Sequence, residues 1–139
     1  MIVICEQNVT VHAEKLLQQI CRYQHDGYLC DTLIVTEDGQ LSAHSLVLTA
    51  ASPMFKAALN VTNKPQQHIV VIPGVSSSVM KTLLQYIYTG EVVAVLKDMA
   101  SVMSLMAELQ LVSFSQLAEY VHSCHCSPLS YDDHTCKMK

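Results

Sequence analysis

The densest group of residues able to do chemistry lies near the C-terminus: His122, Cys124, His125, Cys126, His134 and Cys136. Imidazole and thiolate hold zinc when four of them close a tetrahedron. Here a Cys-x-Cys pair is followed eight residues later by His-x-Cys, which is not the spacing of a zinc finger. On a helix, Cys124 and Cys126 also point to different faces. The expectation is no metal and no cofactor. Met99, Met103 and Met106 offer thioethers, but with Val102 they recur at i, i+3, i+4 and i+7. That is an apolar helix stripe, with methionine as a core filler. Ser, His and Asp all occur, yet no Gly-x-Ser-x-Gly gives a nucleophile its context. Four glycines make no phosphate-cradling loop. His44 reads as a structural histidine bonded to backbone. No catalytic residue is expected. The alternative from another class is a small enzyme using Cys and His, which fast reaction with a thiol probe at neutral pH would reveal.

Whatever the chain does, its elements must be built from 139 residues, one domain's worth, of which 50% are apolar and 14% charged. An average domain carries about 25% charge. Disorder is excluded, and a small globule with so few charges implies that a partner covers some apolar surface. Eight Lys and Arg against twelve Asp and Glu give a net charge of −4. With no basic stripe, direct nucleic-acid binding by this chain is not expected. No apolar run reaches a membrane span, and Met1 to Cys5 lacks the features of a signal peptide. The high apolar content argues against a disulfide scaffold for the six cysteines. Cys21, Cys30 and Cys124 read as buried free thiols in a reducing compartment.

Helical spacing predicts a helix over Val11–Tyr23, capped by Thr10 and stopped by Gly27. Asp31–Thr36 reads as a strand. Asp38-Gly39 predicts a type I′ hairpin, with Gln40–Ala43 returning. His44–Ala51 predicts a short helix with Leu46, Val47 and Ala50 inward. Ser52-Pro53 opens another, with Met54, Phe55, Ala58 and Leu59 as its apolar face. Asn60–Gln67 is a loop and His68–Ile72 a strand ended by Pro73-Gly74. Three helices follow: one capped within Ser76–Ser78 and stopped by Gly90, one over Leu96–Leu109, one from about Ser115. The order predicts an α+β fold, a small, mainly three-stranded sheet covered by about six helices. Residues 1–9 form an N-terminal segment, 10–126 the domain and 127–139 a polar tail or linker start.

Five blocks in order carry a family resemblance: Leu29-Cys30-Asp31; Ala43-His44; Val47-Leu48; Ala50-Ala51-Ser52-Pro53-Met54-Phe55; and Tyr86-Ile87-Tyr88-Thr89-Gly90. They resemble the BTB/POZ domain over roughly residues 10–125. The resemblance implies a non-catalytic interaction module, usually a homodimer; with no apolar run long enough to span, no membrane partner is expected. Its dimer face would use Leu16, Leu17, Ile20 and Tyr23. Ile2-Val3-Ile4 resembles the strand that zinc-finger members exchange between protomers, so Ile2 and Ile4 join that face. In that branch an Asp at the Asp31 position pairs with a base in a charged pocket used for folding and co-repressor recruitment. Here the base position is Ser45. Asp31, Ser45 and His44 are therefore the expected pocket and structural residues, with Asp31 held by backbone N–H groups or a hydroxyl such as that of Ser45.

The implied role is self-association and co-regulator recruitment in a nuclear zinc-finger transcription regulator. Partners would be a second copy, strand-exchanged or of higher order, a co-repressor or another BTB protein. The alternative is a cytoplasmic substrate adaptor for a cullin ubiquitin ligase. Cullin-binding members carry a hydrophobic-x-Glu motif after the third helix, and Asn60–Gln67 contains no Glu.

Overall fold

The computed structural model describes residues 8–60, 67–112, 114–115 and 135–138. Helix α1 spans Val9–Asp26, and its N-cap is Asn8 rather than Thr10. The Asn8 carboxamide accepts from the Thr10 and Val11 amides at 3.1 and 3.3 Å. A cap residue must be extended while its side chain folds back on the first turn, and Asn does this at least as well as Thr. Gly27 ends the helix at φ +71°, a left-handed geometry that suits glycine.

Strands β1 (Thr32–Val35) and β2 (Gln40–Ala43) are antiparallel, and β3 (His68–Val71) lies parallel to β1 on its other side. The sheet order is β2-β1-β3. The predicted type I′ turn does not form, because neither Asp38 nor Gly39 has positive φ. Asp38 instead reaches across to the helix start at Ser77, accepting from its amide at 2.6 Å. A Cβ on Gly39 would come within 3.4 Å of the Ser77 Cβ. The glycine therefore serves close approach of hairpin and helix, not turn handedness.

Helices α2 (Ser45–Ala51) and α3 (Pro53–Leu59) are seven residues each. Their inward faces are narrower than predicted. In α2 Leu48 and Ala51 are buried and Val47 half-buried, while Leu46 is 78% exposed and Ala50 faces out. In α3 only Phe55 and Leu59 are buried; Met54 and Ala58 face out. Two turns of helix touch a neighbour along one line of side chains, so an apolar residue alone does not fix which line that is. Ser52 ends α2 and caps α3, accepting from the Phe55 amide at 3.2 Å.

Helix α4 (Ser77–Thr89) is the central element: Val79, Met80, Leu83, Leu84 and Tyr88 are buried and Ile87 is half-buried. Residues 92–95 form a strand, β4 (Val92–Val95), that the sequence reading omits. Its partner is β5 (Thr135–Met138), within the stretch read as a polar tail. The predicted Leu96–Leu109 helix begins as a 3-10 turn, Leu96–Asp98, and becomes helix α5 at Met99–Glu108. The methionine stripe packs as core: Val102 and Met106 are fully buried, Met99 and Met103 partly so. Among the described residues there are thus five α-helices. The sixth, from Ser115 through Leu117, Tyr120, Val121 and Cys124, falls almost wholly outside them.

Candidate functional site

Helix α1 is 18 residues long and buries none of them. Its inner face leans on α4 and β2, with Ile20 and Cys21 against the core. Of the four α1 residues expected at a dimer face, Leu16 is 54% exposed, while Leu17, Ile20 and Tyr23 are half-buried. The Tyr23 ring meets Tyr28 edge-on at 4.9 Å. Gln24 donates to the Ser42 carbonyl at 2.9 Å and so closes the outer edge of β2. The helix is thus docked by its C-terminal half and presents a long apolar flank outward. Ile2 and Ile4 lie outside the described residues.

A polar corner joins the end of α1 to the start of α2. His44 Nε2–H donates to the Tyr28 carbonyl at 2.8 Å, and Nδ1 accepts from the Tyr88 hydroxyl at 2.8 Å. The same phenol oxygen accepts from the His44 amide at 3.0 Å. This set is consistent with the neutral Nε2–H tautomer. Burial pushes the Tyr88 phenol up to about 12, against a smaller downward pull from the His44 amide. Leu29, next to the Tyr28 carbonyl, is held at φ +56°. A non-glycine residue persists there only when its surroundings fix it, and the two-ended His44 bridge does so.

Asp31 stands beside this corner, largely exposed. Its carboxylate accepts from the Ser45 amide at 2.7 Å and the Ser45 hydroxyl at 2.5 Å, with Thr32 Oγ1 at 3.3 Å. Partial burial pushes this carboxyl up, but the Ser45 hydroxyl and amide outweigh it, so it titrates below the ordinary carboxylate range. Charge-assisted hydrogen bonds from one serine thus occupy both oxygens where a base would otherwise pair. Asp31, His44 and Ser45 are brought together, and α1 lies on the same side through Tyr28.

Cys30 Sγ lies 3.7 Å from His44 Nε2, the geometry a Cys/His enzyme would need. Burial and then the charge of Asp31 raise the Cys30 thiol instead of lowering it. A thiol held neutral is a poor nucleophile. Cys21 and Cys30 are free, as expected, but half-buried rather than buried. The cluster from His122 to His134 and Cys124 lie outside the described residues. Among the described ones, no three His, Cys, Asp or Glu side chains are placed to hold a metal. No helix among them is long and apolar enough to cross a membrane.

Sequence reading missed Tyr88 and Tyr28 as the partners of His44. A buried tyrosine needs a partner for its hydroxyl, and that requirement was the available signal.

Comparison with known proteins places this arrangement. A family model described as "BTB/POZ domain" matches residues 21–123. The Hypermethylated in cancer 2 protein of Danio rerio is 33% identical over 116 residues, covering 81% of this chain and 19% of that protein. Human Kelch-like protein 4 is 34% identical over 113 residues, covering 81% of this chain and 15% of that protein. The chain thus spans under a fifth of the length of these relatives. A solved structure, the BTB domain of zebrafish PATZ1, superposes with a TM-score of 0.72 at 21% identity, covering 86% of this chain and 98% of that one. That likeness shows the shared α+β fold.

Proposed function

The chain belongs to the BTB/POZ domain family, whose members are protein interaction modules rather than enzymes, and from that premise we propose that it is the homodimerising, co-regulator-recruiting module of a nuclear transcription regulator. In this reading DNA is bound by zinc fingers elsewhere in the protein, and the acidic domain itself contributes none of the contact. Two copies would meet through α1, placing Leu16, Leu17, Ile20 and Tyr23 across a twofold axis. Pairing would also present two sets of fingers together and raise their avidity for paired sites.

The observation that carries the proposal is α1 itself. An 18-residue helix with no buried residue and a 54% exposed Leu16 is poorly accounted for by a monomer. The N-terminal Ile2-Val3-Ile4 is proposed to add an exchanged strand to this face. The co-regulator pocket is proposed to be altered, because Ser45 takes up the carboxylate of Asp31 that a base would otherwise hold.

A second reading, substrate adaptor of a cullin ubiquitin ligase, is supported by Kelch-like relatives at the same level of identity as the first. The absence of Glu from Asn60–Gln67 favours the transcriptional reading. Size-exclusion chromatography with light scattering tests the shared premise. Twice the 15.4 kDa chain mass is expected. A stable monomer at micromolar concentration overturns it. Pull-downs against a cullin and against co-repressor peptides separate the two readings.

A further inference from the structure

We infer that the groove between the end of α1, the outer edge of β2 and the middle of α4 docks an extended peptide segment of a partner protein, one that carries an acidic residue two positions from an aliphatic one. The site does not depend on self-association. At 3.6 residues per turn, the groove-lining Cys21 and His25 lie on the opposite flank of α1 from Leu16 and Tyr23, so the groove stays open whether or not α1 pairs.

The groove has a volume of about 810 Å³, and Leu84 and Tyr88 of α4 lie along its floor. One wall is backbone. The Thr36 amide donates to the Gly39 carbonyl at 2.9 Å, which sets the phase of the β1–β2 ladder. Bonded and non-bonded positions alternate in an antiparallel pair. Leu41 and Ala43 therefore bond to β1, while Gln40 and Ser42 turn their N–H and C=O groups away from it. Two side chains stand in for a neighbouring strand at one end of this edge. Gln24 donates to the outward Ser42 carbonyl at 2.9 Å, and the Tyr88 hydroxyl accepts from the amide of His44, the next outward position, at 3.0 Å. That closure stops there. Among the described residues no bond is made to the Ser42 N–H or to either outward group of Gln40, which is exposed. A row of backbone donors and acceptors at strand spacing is matched by the backbone of an added extended chain.

Charge fixes the kind of peptide. His25 and Asp26 line the groove at the end of α1 and face each other at 3.7 Å. Lys81 lies on α4 one turn after Ser77, which approaches Gly39, so it stands at the open Gln40 end. It is exposed and makes no ion pair among the described residues. An acidic side chain of the occupant would meet this ammonium. Along α4 the rise from Lys81 is about 4.5 Å to Leu84 and about 10.5 Å to Tyr88. Residues two apart on a strand share one face and are about 6.6 Å apart, a step that falls between the two. An acid-x-aliphatic segment thus puts its carboxylate at Lys81 and its apolar side chain over the floor between Leu84 and Tyr88.

The probes are fluorescein-labelled acetyl-Thr-Glu-Val-Ile-Thr-amide and its reversed-order counterpart, since an added strand can run either way. Titrating the full chain and reading anisotropy should show saturable binding of at least one. Amide spectra by NMR should shift at Gln40, Ser42 and Gln85. In the free protein, the Gln40 and Ser42 amides should exchange faster than those of Leu41 and Ala43, which bond to β1, and should slow on binding. Lys81→Glu should weaken binding about tenfold, and a peptide with Lys in place of Glu should recover it on that variant. Gln40→Pro removes an outward N–H without touching a bond to β1 and should weaken binding about fivefold. Circular dichroism checks that this variant is folded; Lys81→Glu changes an exposed side chain and decides the matter if it is not.

No binding of either peptide up to about 1 mM overturns the proposal. So does binding that shifts amides elsewhere and ignores Lys81→Glu. A Gln40 amide already protected in the free protein means that another segment of this chain, or of a second copy, holds the edge, and it overturns docking of a partner. The oligomeric state enters none of these readouts, so a monomer would end the self-association reading and leave this one standing.

Discussion

Tyr88 and His44 show how one pair of side chains fixes a corner of the fold. The phenol accepts from the His44 amide and donates to its ring, while the ring's other nitrogen holds the Tyr28 carbonyl. Tyr88→Phe leaves a buried amide and a ring nitrogen without partners and should destabilise by about 1–3 kcal/mol in urea titration. The neutral phenol is stabilised by folding, since its folded value, about 12, lies above its ordinary 10.0. That contribution is complete below the ordinary value and disappears as pH rises through the folded one. Absorbance at 295 nm should show Tyr88 titrating late, along with Tyr86, which burial also raises, and Tyr88→Phe should remove the later step and flatten the alkaline loss of stability.

Asp31 has the opposite sign. Its folded value is lowered, so its contribution is present above the ordinary 3.8 and lost as pH falls through the folded value. Ser45→Ala should move the Asp31 titration upward by NMR. Asp31→Asn keeps an acceptor for the Ser45 amide, and because the site is exposed it should change neutral-pH stability by under about 1 kcal/mol. An Asn variant that fails to fold would falsify this account of the corner. In the sequence, the loss of the base at Ser45 was visible and suggested where the carboxylate would turn. The geometry that lets one serine occupy both oxygens was not, because it depends on β1 and α2 meeting.

At the level of elements, Ser52 joins two helices to a third. It caps α3, and its hydroxyl donates to the Leu109 carbonyl at the end of α5, at 2.5 Å. Ser52 is fully buried. Ser52→Ala should therefore cost more than an exposed cap, about 2–3 kcal/mol, measurable as a lower urea midpoint with an unchanged slope. Ser-Pro at a helix start was legible because capping is local chemistry. The inward lines of α2 and α3 were not, since seven residues carry too little periodicity to exclude a rotated face. Strand β4 escaped for a related reason: four residues between helices give only two alternations, and its partner lies far down the chain. Long α4 was read almost correctly because thirteen residues repeat the pattern several times.

For the whole molecule, the surplus of apolar residues now has addresses. Leu16, Leu46, Met54, Ile69 and Val71 are exposed while the core beneath them is already filled. Ile69 and Val71 project from the solvent side of β3, at 66% exposure each. Leu16→Asp with Leu17→Asp tests whether the α1 surface makes the proposed dimer. Because Leu16 is exposed and Leu17 only half-buried, circular dichroism should stay native while light scattering falls to one chain mass, a dissociation constant weakened at least about a hundredfold. A dimer that survives would move the interface off α1.

The sequence by itself determined the fold family, the order of its helices and of the three-stranded sheet's strands, and most of the methionine-filled core. These follow from local patterns: caps, turns and periodicity repeat within a few residues, and five short blocks in order identify the fold. Only the tertiary structure decided that His44 bridges Tyr28 and Tyr88, that Asp38 joins the hairpin to α4, and that β4 receives a strand from residues 135–138. Each of these contacts joins groups far apart in the chain, and no local preference encodes a meeting that chain closure alone brings about.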